Sequence, residues 1–510
     1  MHQVFSPYIN SSPALHFHYI THIRLISSLF MLSRNHLSLI NSLLQRMGPL
    51  GVFFFLLFTI LSASSEGGTI GVNYGRVANN LPSPASTVQL LKTNNITHVK
   101  IFDANSDVLK ALAGSGIHVT VMMPNQLLQT TASNPSFAAM WVQNNVAAYY
   151  PSTKIQAVAV GNEVFADPTN LTSYLLPAMI NVQAALAKLN LDKAIKVSSP
   201  IALTALQSSY PPSAGAFRPD LAMPVMKPML QFLRKTGSYL MVNAYPFFAY
   251  EANSNDISLD YALSNPNAGV LDSGSGLTYY SLLDAQIDAV AYAMSALKYD
   301  DVLISISETG WPSEGDANEI GANVMNAAAY AGNLINRVLA GTCGTPKRPH
   351  CNMDMYLFAL FNENQKPGPT SERNYGMFYP NEQKVYDVNF VLGNGNSSST
   401  GNNNGNNNST GSGSGNGTPE TWCVADPTAG QQMLQMALDF ACGEGGADCT
   451  AIQPGAACYE PNTIEAHASY AFNSYYQKNG RGLWTCDFGG IAHVVSQAPK
   501  IGKCTLPSST

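Results

Sequence analysis

At 510 residues the chain is too long for one ordinary domain, so we expect two or more. Its 45% hydrophobic and 10% aromatic residues suffice for a large core, and its formal net charge of −6 argues against a polyanion-binding surface. We therefore expect no nucleic-acid partner and favour a neutral one.

The first 65 residues are predicted to be a leader outside any folded domain. They contain no Asp or Glu, and the apolar run GVFFFLLFTILSASS at 51–65 follows Arg46, which is typical of a secretory signal peptide at about 47–65. Residues 1–46 would then be a mispredicted extension before Met47; a transit peptide is the alternative. The apolar run is short for a membrane span, and the C-terminus lacks the apolar tail of a lipid-anchor signal. We expect a secreted, extracellular or cell-wall protein without a stable membrane anchor.

Residues 67–392 alternate short apolar runs with helical stretches such as LLPAMINVQAALAKL. Eight continuous apolar runs followed by helical segments predict an α/β fold, a (β/α)₈ TIM barrel. A doubly wound sheet is the second choice, but its Gly-rich phosphate turn is missing. The candidate strands are TIGVNYG, VKIFDAN, HVTVMMP, IQAVAVGNE, IKVSSPIA, YLMVNAYPF, VLISISETGW and MYLFALFNEN.

Polar residues gather at the C-terminal ends of these strands, which meet on the active-site face of a barrel. They are Asn73, Asp103, Asn162, Glu163, Asn243, Tyr245, Glu308, Asn362 and Glu363.

Two of these carboxylates, Glu163 after the fourth strand and Glu308 after the seventh, suit glycoside hydrolysis, in which one carboxyl group protonates the leaving oxygen. The other attacks the anomeric carbon at a separation of about 5–5.5 Å, or directs water at about 6.5–9.5 Å. The structural alternative is that each glutamate caps a helix or pairs with a loop lysine.

Aromatic rings pack on sugar faces, so strand-end aromatics and neighbouring amides are candidate substrate contacts, with core packing as the alternative. These candidates are Tyr74, Asn162, Asn243, Tyr245 and Trp311, with Phe247 and Phe248 close by. Glu363 and Lys366 are predicted to be either a solvated ion pair or a charged pair that keeps Glu308 ionised. The histidines show no metal-ligand spacing, so we expect no metal and no cofactor.

Residues 393–420 form a Gly/Asn/Ser/Thr linker, and 421–507 form a small module with six cysteines. Fifteen pairings are open to six cysteines, and a Cys343–Cys351 bridge is predicted in the large segment. Candidate N-glycosylation sites are Asn95, Asn170, Asn396, Asn408 and Asn416.

The ordered motifs GVNYGR, AVGNEV, NAYPFFAY, SETGWPS and FALFNENQK resemble the plant β-1,3-glucanases of glycoside hydrolase family 17. This resemblance implies retaining hydrolysis of callose-type glucans, with Glu163 as acid/base, Glu308 as nucleophile, and Glu363 and Lys366 as auxiliary residues. Phe102 departs from the pattern, since many relatives have Tyr there.

The module, with WCVADP, ALDFACGEGGADC and CDFGG, resembles carbohydrate-binding module family 43. That resemblance implies the pairs Cys423–Cys486, Cys442–Cys449 and Cys458–Cys504. Tyr470, Phe472, Tyr475 and Tyr476 are either glucan-stacking residues or a buried helix face.

The leading hypothesis is a monomeric, exported endo-β-1,3-glucanase with a tethered glucan-binding module and β-1,3-glucan as its partner. The alternatives are a catalytically weak callose-binding wall protein and a β-1,3-glucan transglycosylase.

Overall fold

A computed structural model of the chain describes residues 68–350, 353–391 and 420–508, except for residues 428, 444, 482, 487, 489 and 490. The predicted leader and most of the predicted linker lie outside the described residues. No helix within these ranges is long and apolar enough to cross a membrane.

The large segment is built around one parallel sheet that closes on itself. Its nine short strands are β1 (Ile70–Tyr74), β2 (His98–Ile101), β3 (His118–Met123), β4 (Lys154–Val160), β5 (Lys196–Ser198), β6 (Pro200–Ala202), β9 (Tyr239–Asn243), β12 (Leu303–Thr309) and β13 (Met355–Leu357). They lie in the order β5-β4-β3-β2-β1-β13-β12-β9-β6, and all of their pairings are parallel. β5 and β6 flank Ser199 as two parts of one interrupted strand, so the sheet is an eight-stranded barrel and the predicted fold is confirmed.

Helices follow the barrel strands and cover their outer faces. In the first of them, Ser83 caps the N-terminus by accepting a hydrogen bond from the Ser86 amide, Pro84 takes the first turn, and Val88 and Leu91 are buried. The α-helices of this segment are Pro84–Thr93, Ser106–Leu112, Leu128–Ser133, Pro135–Val142, Thr172–Lys188, Pro219–Leu221, Lys227–Thr236, Pro246–Ala252, Leu259–Leu263, Leu282–Ala296 and Val324–Leu339.

Two antiparallel hairpins interrupt the strand–helix alternation. One joins β7 (Leu206–Ser208) to β8 (Ala216–Phe217), and the other joins β10 (Val270–Asp272) to β11 (Leu277–Tyr279). They add to the loops that follow β6 and β9 and leave the order of the barrel strands unchanged.

The C-terminal segment is a small α+β module. Its strands β14 (Trp422–Ala425) and β15 (Ala492–Val495) pair antiparallel beside helices Gln431–Cys442 and Ile464–Lys478. Three disulfides join the same cysteine pairs that the resemblance implied, namely Cys423–Cys486, Cys442–Cys449 and Cys458–Cys504.

The aromatic side chains on the second helix of the module mostly form its core. Tyr470, Phe472 and Tyr476 are buried, and the Phe472 ring stacks on Phe488 with centroids 4.0 Å apart. The buried-face interpretation therefore holds for these three residues. Tyr475 is half-buried and remains a candidate for contact with a ligand.

Candidate active site

Glu308 lies near the C-terminal end of β12, and both of its carboxylate oxygens have hydrogen-bond donors. The Lys100 ammonium lies 2.6 Å from Oε1, and the Tyr245 hydroxyl donates to Oε2 at 3.1 Å. Lys100 is 0% exposed and Glu308 is 5% exposed, so water screens this ion pair little. The same ammonium lies 4.5 Å from the centroid of the Phe102 ring.

A strand irregularity directs Glu308 toward its partners. The pairing of β12 with β9 shifts register between Ile306 and Glu308, which places Glu308 opposite Asn243. The Ala244 amide donates to the Glu308 carbonyl at 2.9 Å and fixes this arrangement. Bulges of this kind are common beside active sites because they change the direction of one side chain.

Glu163 lies in a tight turn immediately after β4. Its backbone is in the left-handed region, with φ 50° and ψ 40°, and its amide donates to the Pro200 carbonyl at 3.0 Å. Gly161 has φ 71°, and a Cβ there would lie 2.6 Å from Val164 Cγ2. The turn therefore requires glycine at 161 and holds Glu163 in a conformation that few non-glycine residues adopt.

A short chain of hydrogen bonds links Glu163 to Ser307, the residue before Glu308. Asn243 donates from Nδ2 to Glu163 Oε1 at 2.8 Å, and it accepts at Oδ1 from the Ser307 hydroxyl at 2.6 Å. Ser307 precedes Glu308, and its carbonyl accepts from Asn73 at 2.9 Å. Strand-end residues from β1, β9 and β12 thus meet around the two carboxyl groups.

The surroundings of the two carboxyl groups differ in charge. Burial raises the pKa of Glu163, and the negative charge of Glu308 raises it further, against smaller opposing effects of Asn243 and Lys100. Burial also raises the pKa of Tyr245 well above its usual value, so its hydroxyl stays protonated and donates to Glu308. One carboxyl group is placed to hold a proton, and the other has a cation and a neutral donor against it.

Comparison with known proteins identifies the family. The profile of glycosyl hydrolases family 17 matches residues 70–390, well over half of the chain. The chain belongs to glycosyl hydrolases family 17. A second profile, the X8 domain, matches residues 421–493, which lie within the module.

Relatives of this family-17 chain cover both segments. It is 44% identical to glucan endo-1,3-beta-glucosidase 7 of Arabidopsis thaliana, over 90% of this chain and 88% of that protein. It is 41% identical to glucan endo-1,3-beta-D-glucosidase of Olea europaea, over 91% of this chain and 99% of the other. Among solved structures, CJP38, a beta-1,3-glucanase and allergen of Cryptomeria japonica pollen, shares 46% identity with a TM-score of 0.61. That match covers 64% of this chain and 100% of CJP38.

Glu363 of this family-17 chain is bound to the loop after β1. It is 2% exposed, and its Oε1 accepts from the Val77 amide at 2.7 Å. A Cβ at Gly75 would lie 2.2 Å from the Glu363 carboxylate, so glycine is needed for this close approach. Burial raises the pKa of Glu363, which the Val77 amide and Lys366 partly offset.

Lys366 does not form the predicted contacts. Its ammonium pairs with Glu372 at 2.9 Å and lies 4.2 Å from the centroid of the Phe358 ring. The cation in contact with Glu308 is Lys100, and the ion pair of Lys366 is with Glu372 and not with Glu363. The charge of Lys366 still lowers the pKa of Glu163 and of Glu363, so its auxiliary role stays a prediction. The segment after β13 turns Lys366 toward the helical turn Thr370–Arg373 instead.

Two predicted substrate contacts, Tyr74 and Trp311, are core residues instead. Tyr74 is 3% exposed, and its hydroxyl lies 3.4 Å from the Thr87 hydroxyl of the first helix. Trp311 is 1% exposed and donates from Nε1 to the Gly321 carbonyl at 2.8 Å. Both side chains therefore pack between elements of the barrel, and the core-packing alternative is correct for them.

Other aromatic rings form a wall beside Glu308. Tyr245 packs against Phe248, Phe358 and Tyr375, with ring centroids 5.5, 6.3 and 5.7 Å away. Phe248 is 42% exposed, whereas its neighbour Phe247 is fully buried. Phe248 is thus the exposed member of this wall.

Lys100 is not among the predicted site residues, although it lies within the quoted strand VKIFDAN. The available signal was a lone lysine between apolar residues of a buried strand, because lysine is rarely buried without a partner. Asn125, which follows β3 and binds the Glu163 turn, is also not among the predicted site residues.

The remaining predicted positions are candidate glycosylation sites and one cysteine pair. Asn95 and Asn170 are exposed, while Asn396, Asn408 and Asn416 lie outside the described residues. Cys343 is disulfide-bonded, and its predicted partner Cys351 also lies outside them. Among the residues that the structure describes, no cluster of three His, Cys, Asp or Glu side chains could hold a metal ion.

Proposed function

We propose that this protein is an endo-acting β-1,3-glucanase that hydrolyses callose-type glucans with retention of anomeric configuration. Its family membership and the names of its relatives support the substrate class and the endo mode of action. The observation that carries the mechanism is the contrast between the two carboxyl groups: Asn243 donates to Glu163, whereas a cation, Lys100, and the Tyr245 hydroxyl lie against Glu308.

In the first step, a Glu308 oxygen attacks the anomeric carbon while Glu163 gives its proton to the departing glycosidic oxygen. The bond from the anomeric carbon to that oxygen breaks, and a covalent glycosyl-enzyme forms. Glu163, now a carboxylate, then takes a proton from water. The resulting hydroxide attacks the anomeric carbon, releases Glu308 and restores both groups.

The assignment of roles follows from electrostatics. A proton donor needs a raised pKa, and burial together with the Glu308 charge raises the pKa of Glu163. A nucleophile must be ionised, and the Lys100 ammonium and the Tyr245 hydroxyl stabilise the charged form of Glu308. Exchanging the two roles would place the proton on the carboxyl group that has the cation against it.

Substrate contacts are assigned to the groups that surround these carboxyl groups. Asn162 offers its amide to sugar hydroxyls, while Tyr245 and the exposed Phe248 offer ring faces to sugar C–H groups. Asn243, predicted as a substrate contact, is 2% exposed and bonded to Glu163, Asn162 and Ser307, so we assign it to orienting the proton donor. Glu363 supports the loop after β1 through the Val77 amide. This support is the auxiliary role that we assign to Glu363.

The X8 module is proposed to bind the same polymer as the barrel. The segments are a leader at 1–65, a barrel at 67–392, a linker at 393–420 and a module at 421–507. We infer that the chain is exported, acts as a monomer and is not anchored in a membrane. Its three module disulfides agree with export to an oxidising compartment, where its neutral polymeric substrate would lie.

A product time course on laminarin tests the proposal. We expect a range of oligosaccharides from the earliest times, in the β configuration by proton NMR before mutarotation. Initial α products would refute retention, and binding without any product would favour a callose-binding wall protein. Products longer than the substrate would favour a transglycosylase. Glu308→Gln should abolish the activity, and near-wild-type release of reducing ends would refute the nucleophile assignment.

A further inference from the structure

The backbone of Asn162, the residue before Glu163, is held at both its amide and its carbonyl by one side chain, that of Asn125. Its Oδ1 accepts from the Asn162 amide at 2.8 Å, and its Nδ2 donates to the Asn162 carbonyl at 3.0 Å. The same Nδ2 donates to Asp167 Oδ2 at 2.8 Å, which fixes the orientation of the side-chain amide. Asn125 therefore links the end of β3 to both sides of the Glu163 turn.

This contact acts on a strained part of the backbone. Gly161 and Glu163 both have positive φ, and Asn162 lies between them. A non-glycine residue stays in the left-handed region only where its surroundings hold it there. The Glu163 amide is held by Pro200, and the Gly161 amide by Met123, each through a single hydrogen bond. Asn125 is thus the side chain that binds the turn through both a donor and an acceptor.

We propose that Asn125 is a positioning residue for the proton donor. By binding the backbone amide and carbonyl of Asn162, Asn125 keeps Glu163 in the left-handed conformation. In that conformation the Glu163 carboxyl group reaches Asn243 and the leaving oxygen. Without Asn125 the turn relaxes and the carboxyl group moves away, although Glu163 and its burial remain. This inference rests on the proposed role of Glu163 as proton donor.

A comparison of leaving groups separates this role from a general structural one. Laminarin has a sugar alkoxide as leaving group and needs the proton, whereas 2,4-dinitrophenyl β-laminaribioside has a leaving group that departs without one. The value of kcat/KM for each substrate reports the glycosylation step. For Asn125→Ala we expect kcat/KM to fall about 10- to 100-fold on laminarin, a part of what a general acid contributes. We expect a fall of less than about threefold on the aryl substrate.

Matched variants complete the experiment. The control Asn134→Ala removes an amide side chain that accepts from the Ser136 and Phe137 backbone amides at a helix N-terminus. It should lower stability without changing the ratio of the kcat/KM values for the two substrates. Asn125→Asp keeps the side-chain volume and the acceptor but loses the donor, and it should show the same selective loss if the alanine variant is poorly folded. Glu163→Gln serves as the reference for a lost proton donor.

Each outcome has a distinct meaning. A selective loss on laminarin in the Asn125 variants supports the proposal. An equal loss on both substrates, or no loss in a folded variant, overturns it. If Glu163→Gln lacks the selective loss, the assignment of Glu163 is wrong; if only the Asn125 variants lack it, the positioning role alone is wrong.

Discussion

Replacement of Lys100 by methionine tests the electrostatic basis of the proposed mechanism. Methionine fills most of the lysine volume but removes the charge that lies 2.6 Å from Glu308. Glu308 then keeps only the Tyr245 hydroxyl as a donor while remaining buried. A buried carboxylate without its cation takes up a proton or turns away, and either change prevents attack on the anomeric carbon.

The size of the effect follows from the burial of the pair. Breaking a buried ion pair by removing one partner costs about 3–5 kcal/mol, because the other charge is left uncompensated. If about 3 kcal/mol of this falls on the glycosylation step, kcat/KM falls roughly 150-fold, since each 1.36 kcal/mol is a factor of ten. The remainder should be seen as a lower free energy of unfolding.

The assay is kcat/KM on laminarin across the active pH range, with thermal unfolding measured on the same samples. Lys100→Arg keeps the charge and should recover most of the lost activity. Lys154→Met removes an exposed lysine at the start of β4 and should leave activity unchanged. A folded Lys100→Met protein with kcat/KM within threefold of wild type at every pH would refute the reasoning.

Three further predictions concern titration, stability and tethering. In Glu308→Gln the pKa of Glu163 should fall, because the negative charge that raises it is gone, and carboxyl ¹³C NMR measures this. Burial lowers the pKa of His98 and of His118, whose rings stack with centroids 4.9 Å apart, so folding favours their neutral forms. The stability that they contribute is present above about pH 6.5 and is lost as the pH falls toward their folded values, and His118→Gln should flatten this dependence in urea unfolding. Deletion of 421–510 should reduce activity on insoluble callose more than on soluble laminarin, because tethering raises the local enzyme concentration.

Each of these predictions has a contrary outcome. An unchanged or higher Glu163 pKa in the Glu308→Gln variant would mean that the two carboxyl groups are not coupled as the structure indicates. If His350→Gln, a change in an exposed loop residue, flattens the pH dependence as much as His118→Gln does, the stacked pair is not its source. Equal losses on the two glucans would argue against tethering by the module.

Most of the barrel could be predicted because its strands are buried on both faces and therefore appear as continuous apolar runs. The quoted runs contain every barrel strand except the first residues of β2 and β4, His98 and Lys154. The division of the fifth strand at Ser199 was not predicted, since nothing in IKVSSPIA marks where pairing passes from β4 to β9.

The site was only partly predictable for the same physical reason. In a strand that is buried on both faces, side chains that point into the barrel and side chains that point toward the helices both have apolar surroundings. The sequence pattern therefore does not show which way a given side chain points. Tyr74 and Trp311 were assigned to the cleft but lie in the core, and Lys100 was overlooked although it contacts Glu308. Glu163 and Glu308 could be predicted as the catalytic pair because charge is scarce in this chain, at 11% of residues, and each follows an apolar run.

Covalent trapping tests the central claim most directly. A 2-deoxy-2-fluoro-laminaribiosyl fluoride forms the glycosyl-enzyme but slows its hydrolysis, so the labelled residue can be located by peptide mass spectrometry. We expect one label per chain, on the peptide that contains Glu308 and on that residue. A label on Glu163, or an active enzyme that takes no label and releases α products, would contradict it.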